Sequence, residues 1–285
     1  MNYIKTGILL IVLTVLFVWV GGMIGGRQGA EIAFAIALVM NMISYWFSDK
    51  IVLAMYGAKQ VSENDYPELF RIVMEVTQEA GVPMPKVYIM PQDAPNAFAT
   101  GRSPRHAAVC VTSGIISLLS YEELKGVIAH EIGHVKNRDI LIMSIAATIA
   151  GAIMMLADMA RWAAIFGGRG SRDGRNGGSN PLGLLVAAII APLAAMLVQL
   201  AISRSREYAA DRRGALLTHS PMGLANALRK LDEASRFRRM NASPQTAHMF
   251  IVNPLRGDFF AALFSTHPPI KERIRRLEEM AHLHV

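Results

Sequence analysis

Four long apolar runs interrupt an otherwise mixed chain. The first, Thr6 to Ile24, has 19 residues and no charge, and the second runs from Ala30 to Phe47 with only Glu31 near its start. The third, Ile140 to Ala157, has 18 uncharged residues, and the fourth, Pro181 to Ser203, has 23. About 20 apolar residues in a helix cross the hydrocarbon core of a bilayer, so four apolar helices are expected. A cleaved leader is the competing reading of the first run, since Lys5 precedes it. Its length, the lack of a small-x-small cleavage site and the second run close behind it favour a span. The third and fourth runs are rich in Ala, Gly and Met. For them a helical hairpin buried against the protein competes with two further spans.

The polar remainder falls into two portions. Residues 1–47 are expected to form two transmembrane helices, 48–139 and 204–285 the two parts of a catalytic domain, and 140–203 the hairpin between them. In the first part, Asn64–Ala80 reads as an amphipathic helix with Pro67 in its first turn and Gly81 at its end. Lys86–Met90, Asn96–Thr100 and Ala107–Val111 read as short strands, with Gly101 and Pro104 in a turn. Ser120-Tyr121-Glu122-Glu123 has the form of a capping box, so a helix is expected from there to about Val135. In the second part, Pro221–Arg236 and Ile270–Ala281 have amphipathic helical spacing. Between the third and fourth runs, residues 167–180 hold six glycines and read as a flexible loop rather than a phosphate cradle.

Composition sharpens the membrane reading. Charged residues make up 18% of the chain, against about 25% in a soluble domain. The net charge of +7 points to anionic lipid rather than nucleic acid, because no basic stretch is interleaved with aromatics and no zinc-finger spacing occurs. The single cysteine, Cys110, lies in an apolar strand and reads as a small buried hydrophobe.

The chemistry concentrates in His130-Glu131-Ile132-Gly133-His134. On a helix, residues i and i+4 share one face, so both histidines can point at one metal ion. Glu131 is rotated about 100° from His130, where it can flank the metal and take a proton from water. The surrounding Val127, Ile128, Ala129, Ile132 and Val135 are apolar, so the helix is expected to be buried. A buried, unpaired His and Glu would be costly there, and a metal removes that cost. Zinc suits two imidazoles with an open position. A third ligand is still needed, and the candidate segment is Ser205–Arg213, where Glu207 and Asp211 again stand at i and i+4. Glu207 can complete the donor set and Asp211 can hydrogen-bond the outer nitrogen of a ligand histidine. A solvated helix face with Glu–Arg pairs fits the same spacing.

Asn96-Ala97-Phe98-Ala99-Thr100-Gly101, then residues 127–139 around the histidine motif, then Glu207-Tyr208-Ala209-Ala210-Asp211, together resemble the HtpX-type membrane proteases, relatives of the CaaX prenyl endoproteases and OMA-type proteases. The resemblance covers nearly the whole chain. It implies a zincin-like α+β catalytic domain, with a small sheet whose edge strand lies beside the His-Glu-x-x-His helix. It implies one zinc ion held by His130, His134 and Glu207, with Glu131 as general base, a zinc-activated water as nucleophile and Asp211 behind a ligand histidine. It implies that Asn96, Ala97 and Phe98 meet the backbone of a peptide substrate, a mode of strand addition; a turn-and-strand role without substrate contact is the alternative for Asn96. Thr266-His267-Pro268-Pro269 resembles a further family feature. His267 is either an oxyanion stabiliser or part of a helix start, and Arg212 is another candidate donor. The implied role is stress-related quality control: cutting misfolded or damaged membrane proteins, with the bilayer as the chain's other partner.

Orientation follows from charge. His130 and Glu207 must meet, so the segments on either side of the hairpin share one face of the membrane. That face, with the N-terminus, holds 24 Lys and Arg, and the other holds five, Arg27, Arg161, Arg169, Arg172 and Arg175. The inside-positive bias then places the catalytic portions in the cytoplasm, below the plasma (inner) membrane. Two rival classes are a zinc hydrolase of non-peptide bonds and a membrane scaffold with an incidental metal site. An edge strand suited to extended peptide opposes the first. The grouping of His130, Glu131, His134 and Glu207 opposes the second.

Overall fold

The computed structural model describes residues 2–151, 204–237, 240, 242, 244–253 and 268–283. Helix α1 (Asn2–Met55) takes in both leading apolar runs. It folds back on itself near Gly26, whose φ of 58° is left-handed and suits a residue without a β-carbon. In a straight helix Thr14 and Asn41 would lie about 40 Å apart. Here Asn41 Nδ2 donates to Thr14 Oγ1 at 2.9 Å. Among the described residues, Gly26–Met55 is the one helix long and apolar enough to cross a membrane, and Thr6–Trp19 is a shorter apolar helix. The described part of the third run forms α5 (Asp139–Gly151), whose Ile142, Ile145 and Ile149 pack against Leu9 and Leu13 of α1. The fourth run lies outside the described residues, as do the glycine-rich segment and His267.

The sheet has four strands: β1 (Lys59–Gln60), β2 (Lys86–Met90), β3 (Ala97–Gly101) and β4 (Ala107–Thr112), in the order β1-β2-β4-β3. β2 and β4 are parallel, and the other pairs are antiparallel, which leaves β3 on an outer edge. Alternation along the strands sorts their side chains between two cores. Val87, Ile89, Ala97, Ala99, Val109 and Val111 face a core shared with α2 (Pro67–Ala80) and α4 (Tyr121–Asn137). Met90, Phe98, Ala108 and Cys110 face the other way, onto Val52, Tyr56, Met249 and Phe250.

Three more helices close the first core: α6 (Arg204–Thr218), α7 (Pro221–Phe237) and α8 (Ile270–Leu283), after the short α3 (Ser113–Leu118). Close approach to α4 is made possible by glycine. A β-carbon on Gly126 of α4 would lie 2.7 Å from the Leu224 backbone nitrogen of α7. The capping box at the start of α4 is present, with the Ser120 N–H donating to the Glu123 carboxylate at 2.8 Å. Gly81 ends α2 with a left-handed φ of 64°.

Candidate metal centre

Helix α4 carries His130, Glu131 and His134 on its buried side, each no more than 3% exposed. Helix α6 crosses it closely enough that a β-carbon on Gly214 would sit 3.0 Å from the His130 backbone nitrogen. That approach brings Glu207 and Asp211, one turn apart on α6, up to the two histidines.

The donor atoms converge. His130 Nε2 and His134 Nε2 lie 3.2 Å apart. His134 Nε2 is 3.4 Å from one Glu207 carboxylate oxygen, and His130 Nε2 is 4.0 Å from the other. One ligand atom from each residue fits within a 4.8 Å group. Tetrahedral zinc with bonds of 2.0–2.1 Å spaces its ligands about 3.4 Å apart, so the group fits such an ion. The two imidazole rings stand nearly perpendicular, at 88°, with both Nε2 atoms turned toward the same point.

The outer nitrogens are tied down. His130 Nδ1 is 2.9 Å from an Asp211 oxygen, and His134 Nδ1 is 3.2 Å from Asp139 Oδ2. A proton held on each Nδ1 leaves each Nε2 lone pair pointing at the centre. Arg273, 1% exposed, clamps Asp211 with two bonds, Nε to Oδ2 at 2.8 Å and a second terminal nitrogen to Oδ1 at 2.7 Å. Arg206 stands 3.7 Å from Asp139. Burial would push the Asp211 carboxyl up, but the Arg273 guanidinium outweighs it and holds Asp211 down to about 2. Burial lowers His130 below the usual imidazole range. Burial also opposes charge on His134, yet Asp139 and Glu207 outweigh it and hold that ring above the range, so its Nε2 would give up a proton to any metal ion that binds there. Glu131 is pushed up to about 7, first by burial, with the charge of Glu207 adding to it; His134 and a hydrogen bond from the Ala99 N–H oppose the shift.

The structure therefore brings together His130, Glu131, His134, Glu207 and Asp211. It sets β3 alongside them through the contact between Ala99 and Glu131. Asn96 and Phe98 are buried, and Arg212 is exposed. Two residues at the site were not singled out from sequence: Asp139, quoted as the last residue of the histidine motif, and Arg273, four residues beyond Pro269. The only signal for either was adjacency to a motif.

A buried His-Glu-x-x-His helix crossed by a second helix that brings a carboxylate is the frame of a metallopeptidase. The chain belongs to peptidase family M48, whose model matches residues 63–281. It is a metalloprotease, similar over nearly its whole length to proteins called "Protease HtpX homolog". That of Syntrophobacter fumaroxidans is 59% identical over 277 residues, covering 97% of this chain and 98% of that protein. That of Syntrophotalea carbinolica is 63% identical over 281 residues, covering 98% and 99%. That of Pyrococcus abyssi is 57% identical over 280 residues, covering 98% and 96%. The fold is shared with the crystal structure of S. mikatae Ste24p at a TM-score of 0.54 and 17% identity, over 97% of this chain and 66% of that one.

Proposed function

We propose that this chain is a zinc-dependent endoprotease embedded in the membrane, cutting unfolded or damaged membrane proteins on the cytoplasmic side. The observation that carries the reading is the convergence of His130, His134 and Glu207 next to the carboxyl of Glu131. In this reading residues 48–139 and 204–285 form one catalytic domain, and 1–47 and 140–203 are its membrane part. The membrane setting is supported by α1, which exposes Ile8, Ile11, Val15, Ile32, Val39 and Trp46. Apolar surface so extensive belongs against lipid rather than water.

His130, His134 and Glu207 would hold the zinc. When bound, the ion supplies a Lewis acid that acidifies water and polarises the scissile carbonyl. Asp211 and Asp139 keep the Nδ1 protons of the two histidines in place and so fix the direction of their Nε2 lone pairs. Glu131 takes the proton of the attacking water and returns it to the leaving amine. Burial of the Glu131 carboxyl weakens its hold on negative charge, which favours handing the proton on once it has been taken. β3 offers an extended peptide a strand to pair with beside Glu131.

The test is cleavage of an unfolded protein by the detergent-purified chain loaded with zinc, wild type beside Glu131→Gln. The variant is expected to bind zinc and to lose at least about a hundredfold in turnover. Equal cleavage by two zinc-loaded proteins would sink the role of Glu131.

A further inference from the structure

The outer edge of β3 is already occupied at Ala97. The Asn96 carbonyl accepts from the Thr112 N–H at 3.0 Å, toward β4, so the next residue, Ala97, turns its carbonyl away from the sheet. That carbonyl accepts from the Ile251 N–H at 3.1 Å. The Asn96 carboxamide brackets the neighbouring residue: Nδ2 donates to the Val252 carbonyl at 2.9 Å, and Oδ1 accepts from the Val252 N–H at 3.4 Å. Phe250 meets Phe98 edge-on, with ring centroids 5.3 Å apart, and Tyr56 at 5.2 Å. Residues 250, 251 and 252 thus lie beside 98, 97 and 96, antiparallel to β3. The next outward residue of β3, Ala99, gives its N–H to Glu131. The strap therefore covers the edge right up to the carboxyl assigned as the base.

We infer that Phe250-Ile251-Val252 is a built-in occupant of the substrate edge, holding the backbone hydrogen bonds that an extended peptide needs and leaving before cleavage. The inference rests on the reading of β3 as the substrate strand. Strands pair about 4.8 Å apart, so one edge position holds one chain at a time. A peptide that adds to β3 at Ala97 and is gripped by Asn96 must displace these residues. The strap also shows what would replace it. It is apolar at three successive positions, and all three are buried. An extended apolar segment, as an unfolded protein exposes, matches that chemistry, with one side chain between Phe98 and Tyr56 in the place of Phe250.

Arg273 joins the strap to the metal centre. Its remaining terminal nitrogen donates to the Ile251 carbonyl at 2.8 Å while the rest of the guanidinium holds Asp211 behind His130. A substrate carbonyl standing where the Ile251 carbonyl stands would take over that donor. The arginine then positions the metal ligand with either chain in place.

Two measurements test this on the full chain in detergent. The first is a disulfide tether, Ala97→Cys with Ile251→Cys in a Cys110→Ala background. Cleavage of an unstructured apolar peptide and zinc content are read with and without a phosphine reductant. The tethered enzyme is expected to keep its zinc and lose at least tenfold in cleavage, and reduction restores it. A tethered, zinc-loaded enzyme that cuts as fast as the reduced one overturns the inference. The second is Ile251→Pro, which removes the N–H donated to Ala97 and leaves the carbonyl for Arg273. The loss of one competing backbone bond is expected to lower KM for the peptide about fivefold with kcat little changed. An unchanged or raised KM in a zinc-loaded variant is the overturning result. Failure of the protease reading itself looks different: a zinc-loaded wild type that cuts no peptide.

Discussion

Each of the two histidines facing Glu207 has its second ring nitrogen held by a carboxylate, and each carboxylate has an arginine beside it. Asp211 is clamped by two bonds from Arg273, whereas Asp139 has Arg206 at 3.7 Å. Partners of this kind are worth about 10–100-fold in metal affinity when removed. Asp139→Ala is therefore expected to weaken zinc binding by that amount, read by competition with a chromophoric chelator; unchanged affinity would mean that His134 is oriented by something else. Arg273→Ala does more, because it leaves the buried Asp211 charge without its cation, with only the His130 ring as donor among the described residues, and takes the side-chain donor from the Ile251 carbonyl. Removing one partner of a buried ion pair costs about 3–5 kcal/mol, and denaturant unfolding should show a loss of that size. Arg273→Lys is expected to recover little of it, since a point cation cannot span both Asp211 oxygens and the strap carbonyl. The positions of His130, Glu131 and His134 on one helix were legible because a single helical period relates them. Arg273 was not, because it reaches Asp211 across 62 residues and His130 across 143. In sequence it is one of several basic residues on a helix with a solvated Arg–Glu face.

At the scale of elements, α4 is the one on which the site depends, and its two ends of control are a cap and a close crossing. The Glu123 carboxylate accepts from the Ser120 N–H at 2.8 Å and from Lys230 Nζ at 2.7 Å. Burial works against its charge, yet these donors hold its carboxyl below the ordinary 4.5. A depressed carboxyl contributes stability above its unfolded value and loses it as the pH falls through the folded one. Glu123→Gln should thus cost about 1 kcal/mol at neutral pH. The gap to wild type should close as the pH falls below 4.5 and through the folded Glu123 value, beneath which both side chains are uncharged. A gap that persists in acid would assign the effect to packing. Gly126→Ala tests the crossing. In an open helix, Gly to Ala stabilises by about 0.5–1 kcal/mol. Here the new β-carbon would lie 2.7 Å from the Leu224 backbone, so overpacking of about 1–3 kcal/mol should win and Tm should fall. Elements with a regular period were read to within a few residues: the expected helix 64–80 is Pro67–Ala80, and 270–281 is Ile270–Leu283. The expected strand at 96–100 is Ala97–Gly101, displaced by one residue: the Asn96 N–H bonds the Thr112 hydroxyl rather than a backbone carbonyl of β4. The strap itself was not legible. It lies just after a 3₁₀ turn, Pro244–Met249, and is held by partners far away in sequence rather than by any repeating pattern.

At the scale of the molecule, the site constrains how the chain crosses a bilayer. His134 and Glu207 lie within 3.4 Å of each other, yet 140–203 separates them in sequence and contains both of the later apolar runs. Whatever path that segment takes, its two ends must return to one side of the membrane. The turn of α1 near Gly26 imposes the same condition on the first two runs, since Thr14 and Asn41 touch and the two arms run back along each other. On the proposed topology the N-terminus and both catalytic portions share a side, which carries 24 of the 29 Lys and Arg. Positive charge is retained on the cytoplasmic face, most strongly close to the spans. Lys5, Lys50, Lys136, Arg204 and Arg206 are all so placed, whereas the opposite face near the first turn offers only Arg27. In sealed inside-out vesicles, added protease should therefore reach the C-terminal helix Ile270–Leu283, while in intact spheroplasts the same helix should be protected. The reverse pattern would overturn the cytoplasmic assignment and leave the metal centre untouched, because the pairing of His134 with Glu207 demands a common side without saying which.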